Sequence, residues 1–271
     1  MTGLSRLLPL ACVILSPFAI PAVEVRPPKR DTAALIAGSY AYVHYRDGDL
    51  QAFLRASDAV LEEYRWEKSV LIDEIKIWML GLRITALKRL GEFEAIPPDF
   101  DRLMAVDPDL DNPIYLRTLI AASIERALAF AMTGLPEREI ESYRSAFDLY
   151  RRRPDLASEL YVVESMYDLI ELNVDHDRPE AGLTALIEVM ELFKNSAFPG
   201  TVRFLGAAAL LVLPAAKSAG LTSGAPDAGR LLRLAKTMDA IIAARANDGD
   251  PRTLTGIDDM TRARTALTPA R

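Results

Sequence analysis

Residues 127–146 read ALAFAMTGLPEREIESYRSA and contain the end of one helical pattern, a tight turn and the start of another. Apolar residues recur at helical spacing before Gly134, and a glycine there ends the helix because it adopts positive φ readily. Pro136 begins the next helix, where a backbone N–H is not needed. The stretch therefore predicts two helices joined by a short turn.

The same turn signal returns along the chain every 43 residues. It lies at Gly48, Gly91, Gly134, Asp177 and Gly220. Two apolar columns keep this register, one of them 12 and the other 36 residues after the turns: Val60, Leu103, Ala146, Val189 and Leu232, and then Ile84, Ala127, Ile170 and Leu213. A repeat of this length is typical of helical hairpins that are stable only when they stack on one another.

The helical pattern extends over residues 31–247, and no stretch alternates as a strand does. We therefore predict an all-α fold, a right-handed α-solenoid of about five antiparallel helical hairpins. The first helices are predicted at 32–46, 69–90, 113–133, 156–175 and 201–219, and the second at 49–65, 98–107, 136–152, 179–195 and 226–247. Residues 248–271 are predicted to form a polar C-terminal tail with room for one short helix.

Small and aromatic residues flank the turn at Gly134 in a fixed order: Ala127, Phe130, Glu139, Tyr143 and Ala146. A partial second set follows Gly91, namely Phe93, Phe100, Leu103 and the Asp107-Pro108 pair. This order resembles the tetratricopeptide-repeat (TPR) superfamily over about residues 33–154. The resemblance implies that two antiparallel helices approach closely at the small residues, and that the first helix of each hairpin lines a concave groove.

The sequence also departs from the TPR pattern. Pro97-Pro98 and Leu103 stand where the family has an uninterrupted helix and a small residue. The interval of 43 residues exceeds the family's usual length of about 34 and falls within the range of HEAT-like arrays. A TPR-like array with longer helices and a divergent HEAT-like solenoid both remain open.

The N-terminal residues differ from the rest of the chain. Arg6 is followed by 17 residues without charge, residues 7–23, which are interrupted by Pro9, Pro17 and Pro21. This pattern is typical of a secretory signal peptide, so we predict a signal peptide or an N-terminal anchor at residues 1–22 and a spacer at 23–30. The single cysteine, Cys12, lies inside this segment. The predicted location is periplasmic or secreted.

Composition and motifs exclude several function classes. The net charge of −6 argues against binding to nucleic acid, and membrane contact is expected only through the N-terminal segment, if it is retained. The chain contains no H-E-x-x-H, paired C-x-x-C, P-loop, G-x-G-x-x-G or G-x-S-x-G motif. We therefore predict no catalytic residue, cofactor or metal ligand.

A binding surface is the function that the resemblance implies. The positions of helix 69–90 that correspond to groove positions of the TPR family are Trp78, Gly81, Thr85, Lys88 and Arg89. A tryptophan beside two cations suits a peptide anchor, so we predict an exported scaffold or adaptor that binds a peptide or protein in this groove. The other interpretation of Trp78 is a core residue that packs between helices. The alternative is an all-α periplasmic enzyme that uses a buried glutamate as general acid or base.

Overall fold

The computed structural model describes residues 29–106, 112–221 and 228–267. Within these ranges the chain forms eleven α-helices and no strand, so the prediction of an all-α fold is confirmed. The helices are α1 (Arg30–Arg46), α2 (Leu50–Glu63), α3 (Val70–Leu90), α4 (Ile96–Met104), α5 (Pro113–Met132), α6 (Pro136–Arg152), α7 (Glu159–Asp175), α8 (Pro179–Phe193), α9 (Pro199–Ser218), α10 (Ala228–Arg245) and α11 (Pro251–Arg264). The predicted N-terminal signal or anchor, residues 1–22, lies outside the described residues.

All five turn residues spaced 43 residues apart adopt a left-handed backbone conformation. The φ angles are +85° at Gly48, +75° at Gly91, +72° at Gly134, +56° at Asp177 and +75° at Gly220. After four of these turns, the following N–H donates to the carbonyl five positions earlier, in the pairs Glu92–Leu87, Leu135–Phe130, Arg178–Asn173 and Leu221–Ala216. The same bond therefore closes four helices, and the prediction that helices end at these residues is confirmed.

The chain divides into two compact units, and the division falls inside α5 between residues 125 and 126. In unit 1, residues 1–125, α1 packs against α2 and α3, α2 packs against α3, and α3 packs against α4. Buried apolar residues occur on more than one side of α3, among them Ile75, Ile77, Met79, Leu80 and Ile84. This burial agrees with a helix that has neighbours on two faces.

A buried polar cluster joins three helices of unit 1. Arg83 of α3, only 7% exposed, donates from Nε to Asp99 Oδ2 at 2.8 Å on α4. Its Nη1 donates to the carbonyl of Leu54 at 2.8 Å and to Ser57 Oγ at 2.9 Å, both on α2. Because the buried guanidinium bonds to both neighbouring helices, it fixes their register against α3.

In unit 2, residues 126–271, each helix packs against those that follow it. Helix α6 contacts α7, α7 contacts α8 and α9, and α8 contacts α9 and α10. Residues 251–264 form α11, the one short helix for which the predicted polar tail left room, and α11 packs against α9 and α10. The sequence did not predict this packing, because the buried face of α11 is made of small and weakly apolar residues: Thr253, Gly256, Met260 and Ala263.

Helix α9 is the most apolar long helix of unit 2. By length and composition alone it could cross a membrane, and it is the single helix with that property among the residues that the structure describes. Half of its most apolar window is buried, and α7, α8 and α11 all pack against it. These contacts make α9 a core helix of unit 2.

Candidate functional site

The five residues predicted to line a groove lie on one face of α3. At 100° per residue, their positions cover roughly one third of the helix circumference. The side chains of Trp78, Thr85 and Lys88 are partly exposed, and Arg89 is exposed. The structure therefore places the predicted residues on a surface that solvent reaches.

Trp78 belongs to a row of aromatic rings that crosses from α3 to α1. Its ring lies 5.1 Å from that of Tyr42, and the rings of Tyr42 and Tyr45 stack at 6.2 Å with 19° between their planes. The guanidinium carbon of Arg89 lies 5.8 Å from the Tyr45 ring. We call Trp78, Tyr42 and Tyr45 the aromatic ledge, and Arg89 stands at its end.

The ledge is supported from below by the core of unit 1. Tyr45 makes an edge-to-face contact with buried Phe53 at 5.2 Å. A Cβ added to Gly38 of α1 would lie 3.3 Å from Ile75 Cγ2 and 3.8 Å from Trp78 Cζ3, so this glycine allows α1 to approach α3. The rings are therefore held by packing and need little reorganisation to receive a ligand.

The two cations beside Trp78 have different surroundings. Lys88 Nζ lies 2.8 Å from Glu125 Oε2 and 2.9 Å from Glu125 Oε1 on α5, so its charge is compensated. Arg89 has no carboxylate within ion-pair distance among the described residues, and its contact is the Tyr45 ring. Nothing in the sequence distinguishes Lys88 from Arg89. In the structure Lys88 is paired with a carboxylate, and Arg89 is the cation of the two that can still pair with a ligand.

Gly81 and Thr85 contribute to packing more than to ligand contact. A Cβ on Gly81 would lie 2.7 Å from Thr118 Cγ2, so the glycine lets α5 approach α3. The Thr85 hydroxyl donates to the Gly81 carbonyl at 3.1 Å on its own helix. Gly81 and Thr85 therefore serve the packing of α3, while Trp78 and Arg89 supply the aromatic ring and the positive charge of this surface.

Sequence reasoning missed Asp168 on α7 of unit 2. Tyr143 Oη of α6 donates to Asp168 Oδ2 at 3.4 Å. Burial, followed by the charges of Glu164 and Glu171, raises the pKa of Asp168 to about 6. Burial likewise raises the pKa of Tyr143, with Asp168 as the next cause. A sequence signal existed, since Glu164, Asp168, Glu171 and Asp175 lie on one face at helical spacing.

Other chemistry is limited in the described parts of the chain. No three histidine, cysteine or carboxylate side chains in residues 29–106, 112–221 and 228–267 could hold a metal ion together. A surface depression of unit 2 follows α6, lined by residues such as Glu137, Arg144 and Asp148, and Asp168 does not line it. Asp168 thus lies outside that depression.

Comparison with known proteins adds no assignment. No known family model matches this chain, and no curated protein matches it.

Proposed function

We propose that this chain is an exported helical-repeat scaffold or adaptor, and that the aromatic ledge with Arg89 binds an extended segment of a protein partner. The observation that carries this proposal is the ledge itself. It offers three partly exposed rings on two neighbouring first helices and an exposed guanidinium at their end. Aromatic residues and arginine are the side chains that dominate binding energy at protein interfaces.

Recurring contacts support the solenoid part of the proposal. The bond from Arg83 to Asp99 in unit 1 has a counterpart 43 positions later, where Arg126 Nε donates to Ser142 Oγ at 3.1 Å. These bonds link a first helix to its second helix at the same register. Repetition of a contact at a fixed interval is expected of stacked hairpins in a right-handed solenoid, either TPR-like or HEAT-like.

Pairs between successive second helices also recur. Arg102 Nη1 lies 3.4 Å from Asp58 Oδ1 in unit 1, and Arg144 Nη2 lies 2.9 Å from Glu188 Oε1 in unit 2. The second pair stands two 43-residue intervals after the first, with the signs of the charges exchanged. Equivalent positions therefore form an ion pair in both places, although the residue types are exchanged, which is expected of a repeat whose sequence has diverged.

The chemistry of the surface defines the kind of partner. Rings in a row offer apolar area at low entropic cost, which suits the flat side chains and backbone of an extended peptide. Because Glu125 compensates Lys88, Arg89 supplies the free positive charge and favours a segment with an acidic residue near its apolar ones. The predicted export through residues 1–22 directs the search for this partner to the cell envelope.

Affinity capture tests the proposal directly. The wild-type chain and Trp78→Ala/Arg89→Ala are used to capture proteins from the detergent-solubilised native envelope, followed by mass spectrometry. A matched control, Trp66→Ala/Arg65→Ala, removes a tryptophan and an arginine in cation–π contact elsewhere in unit 1. We expect the first double variant to lose partners that the control retains.

The single variant Arg89→Ala guards against misfolding, because an exposed side chain is removed and the core is left intact. A peptide derived from each captured partner is then titrated against the chain carrying Trp66→Phe, in which Trp78 is the sole tryptophan and its emission is the signal. An identical set of captured proteins for wild type and Trp78→Ala/Arg89→Ala would contradict the groove assignment.

Acid–base catalysis is the second candidate function, and Asp168 is the observation that favours it. A carboxyl group with a pKa of about 6 that accepts a hydrogen bond from Tyr143 suits general acid or base chemistry near neutral pH. The group is an aspartate and not the predicted glutamate. A hydrolase substrate panel with wild type and Asp168→Asn tests it: turnover must appear with wild type and vanish in the variant.

A further inference from the structure

The junction between α2 and α3 carries two strongly exposed apolar side chains. Trp66 is 83% exposed and Val70 is 77% exposed, the highest values among the exposed large hydrophobic residues that the structure describes. Trp66 lies in the loop after α2, and Val70 is the first residue of α3. We call residues 66–70 the apolar corner of unit 1.

The backbone of this corner is held in place by side chains on both sides. Lys76 Nζ donates to the Glu67 carbonyl at 2.7 Å, and Arg30 Nη1 lies 3.1 Å from Glu67 Oε1. Ser69 Oγ accepts a hydrogen bond from the Ile72 N–H at 3.1 Å. Trp66 and Val70 thus project from a fixed turn, which keeps them away from the core of unit 1.

Three cations lie in or next to the apolar corner, and two of them have no acidic partner. Lys29 and Lys68 are exposed and have no carboxylate within ion-pair distance in the described ranges. The guanidinium of Arg65 lies 5.0 Å from the centre of the Trp66 ring and also pairs with Glu62 Oε1 at 3.5 Å. Tryptophan flanked by lysine and arginine is the combination enriched where proteins meet the boundary between lipid and water.

The start of α1 lies beside the apolar corner. Arg30, the first residue of α1, pairs with Glu67, and Asp31 Oδ1 accepts a hydrogen bond from Ser69 Oγ at 2.9 Å. The uncharged segment 7–23 ends six residues before Lys29. Six residues span at most about 20 Å when fully extended, so a bilayer that holds this segment lies within reach of the corner.

We infer that the apolar corner contacts the lipid surface of a membrane beside the N-terminal segment, with Trp66 and Val70 at the headgroup boundary and Lys29, Arg65 and Lys68 facing lipid phosphates. A bilayer suits the corner better than a protein partner does, because two projecting side chains offer too little area for a stable protein interface. Lipid receives isolated projecting side chains without a complementary pocket. This inference rests on residues 1–22 being retained as an anchor, and it does not depend on the aromatic ledge.

The chain contains two tryptophans, which makes fluorescence a direct test. The full chain carrying Trp78→Phe leaves Trp66 as the sole reporter, and it is reconstituted with phosphatidylcholine–phosphatidylglycerol vesicles that contain lipids brominated near the headgroups. We expect blue-shifted emission and quenching of Trp66. The full chain carrying Trp66→Phe reports from Trp78, whose emission we expect to remain unquenched.

Partition into the same vesicles gives a second readout. Replacing both Trp66 and Val70 by serine removes two apolar side chains from the boundary, so we expect a loss of roughly thirtyfold in the partition coefficient. Tyr40→Ser, which removes an exposed aromatic ring from α1, is the matched control and should leave partition unchanged.

Three results would overturn the inference. One is vesicle binding through the N-terminal segment with Trp66 unquenched, and another is equal partition of wild type and the double serine variant. The third is a blue shift of Trp66 that depends on protein concentration and needs no vesicles, which would assign the corner to contact between two copies of the chain.

Discussion

Gly256→Ala should be among the most damaging small substitutions in this protein. Gly256 of α11 faces α9 at a close helix crossing in unit 2. A Cβ built on it would lie 2.3 Å from the carbonyl oxygen and 2.6 Å from the carbonyl carbon of Val202, and 2.8 Å from Arg203 Cα. All three are backbone atoms, so no side chain can rotate away, and one helix must move.

The size of the effect follows from this geometry. A carbon and an oxygen in contact normally stand about 3.3 Å apart, so α11 must move away by roughly 1 Å. Thr253, Met260 and Ala263, which are buried on the same face as Gly256, lose contact with α9 when it moves. Overpacking of this kind costs about 3 kcal/mol in the free energy of unfolding. The expected fall in Tm is about 6–12 °C.

Thermal and urea unfolding, monitored by circular dichroism, measure the effect against a matched glycine. Gly229→Ala makes the same chemical change in α10 of unit 2, where a Cβ would meet nothing within 4 Å. Alanine favours a helix by up to about 1 kcal/mol over glycine, so the control should be neutral or slightly stabilising. Equal stability of Gly256→Ala and wild type would refute the argument that the α9–α11 crossing requires this glycine.

Four further substitutions test other features of the structure. The pKa of Asp168 lies at about 6 in the folded chain and near 3.8 when unfolded, so its carboxylate lowers stability at pH 8 and the penalty fades as the pH falls through 6. The Asp168 carboxyl is partly exposed, which reduces this penalty, so Asp168→Asn should raise the free energy of unfolding by about 1–2 kcal/mol at pH 8 and change it little at pH 4. Urea denaturation at both pH values measures the change, and a loss of stability at pH 8 would contradict the argument. Asp177→Gly removes the strain of a non-glycine residue in the left-handed conformation and should raise stability by about 0.5 kcal/mol. Gly134→Ala introduces the same strain and should lower stability by about 1 kcal/mol. Calorimetry that ranks the two variants in the opposite order would contradict the turn assignment. Arg83→Met leaves Arg102 as the one cation beside the buried Asp99 carboxylate, so the free energy of unfolding should fall by about 3 kcal/mol. Unfolding in guanidinium chloride measures this change. A variant as stable as wild type would show that the buried pair has no structural role.

The candidate site was only partly visible in the sequence. Helical spacing put Trp78, Lys88 and Arg89 on one face, and the structure agrees, because spacing along one helix is a local property. That Glu125 compensates Lys88 while Tyr45 lies beneath Arg89 depends on how α1, α3 and α5 pack. Asp168 was missed for a similar reason, since its raised pKa depends on burial and on neighbouring charges.

The sequence by itself determined that the chain is helical and where its helices end. Both properties are local: apolar spacing marks a helix, and a residue that tolerates positive φ ends it, as at Gly91 and Gly134. Only the tertiary structure decided that residues 251–264 form a helix of the core. The deciding contact is the meeting of Gly206 and Gly256, where each backbone fills the space that a side chain would need. Contacts of this kind join residues far apart in the sequence and leave no periodic signal in it, because they depend on glycine having no side chain.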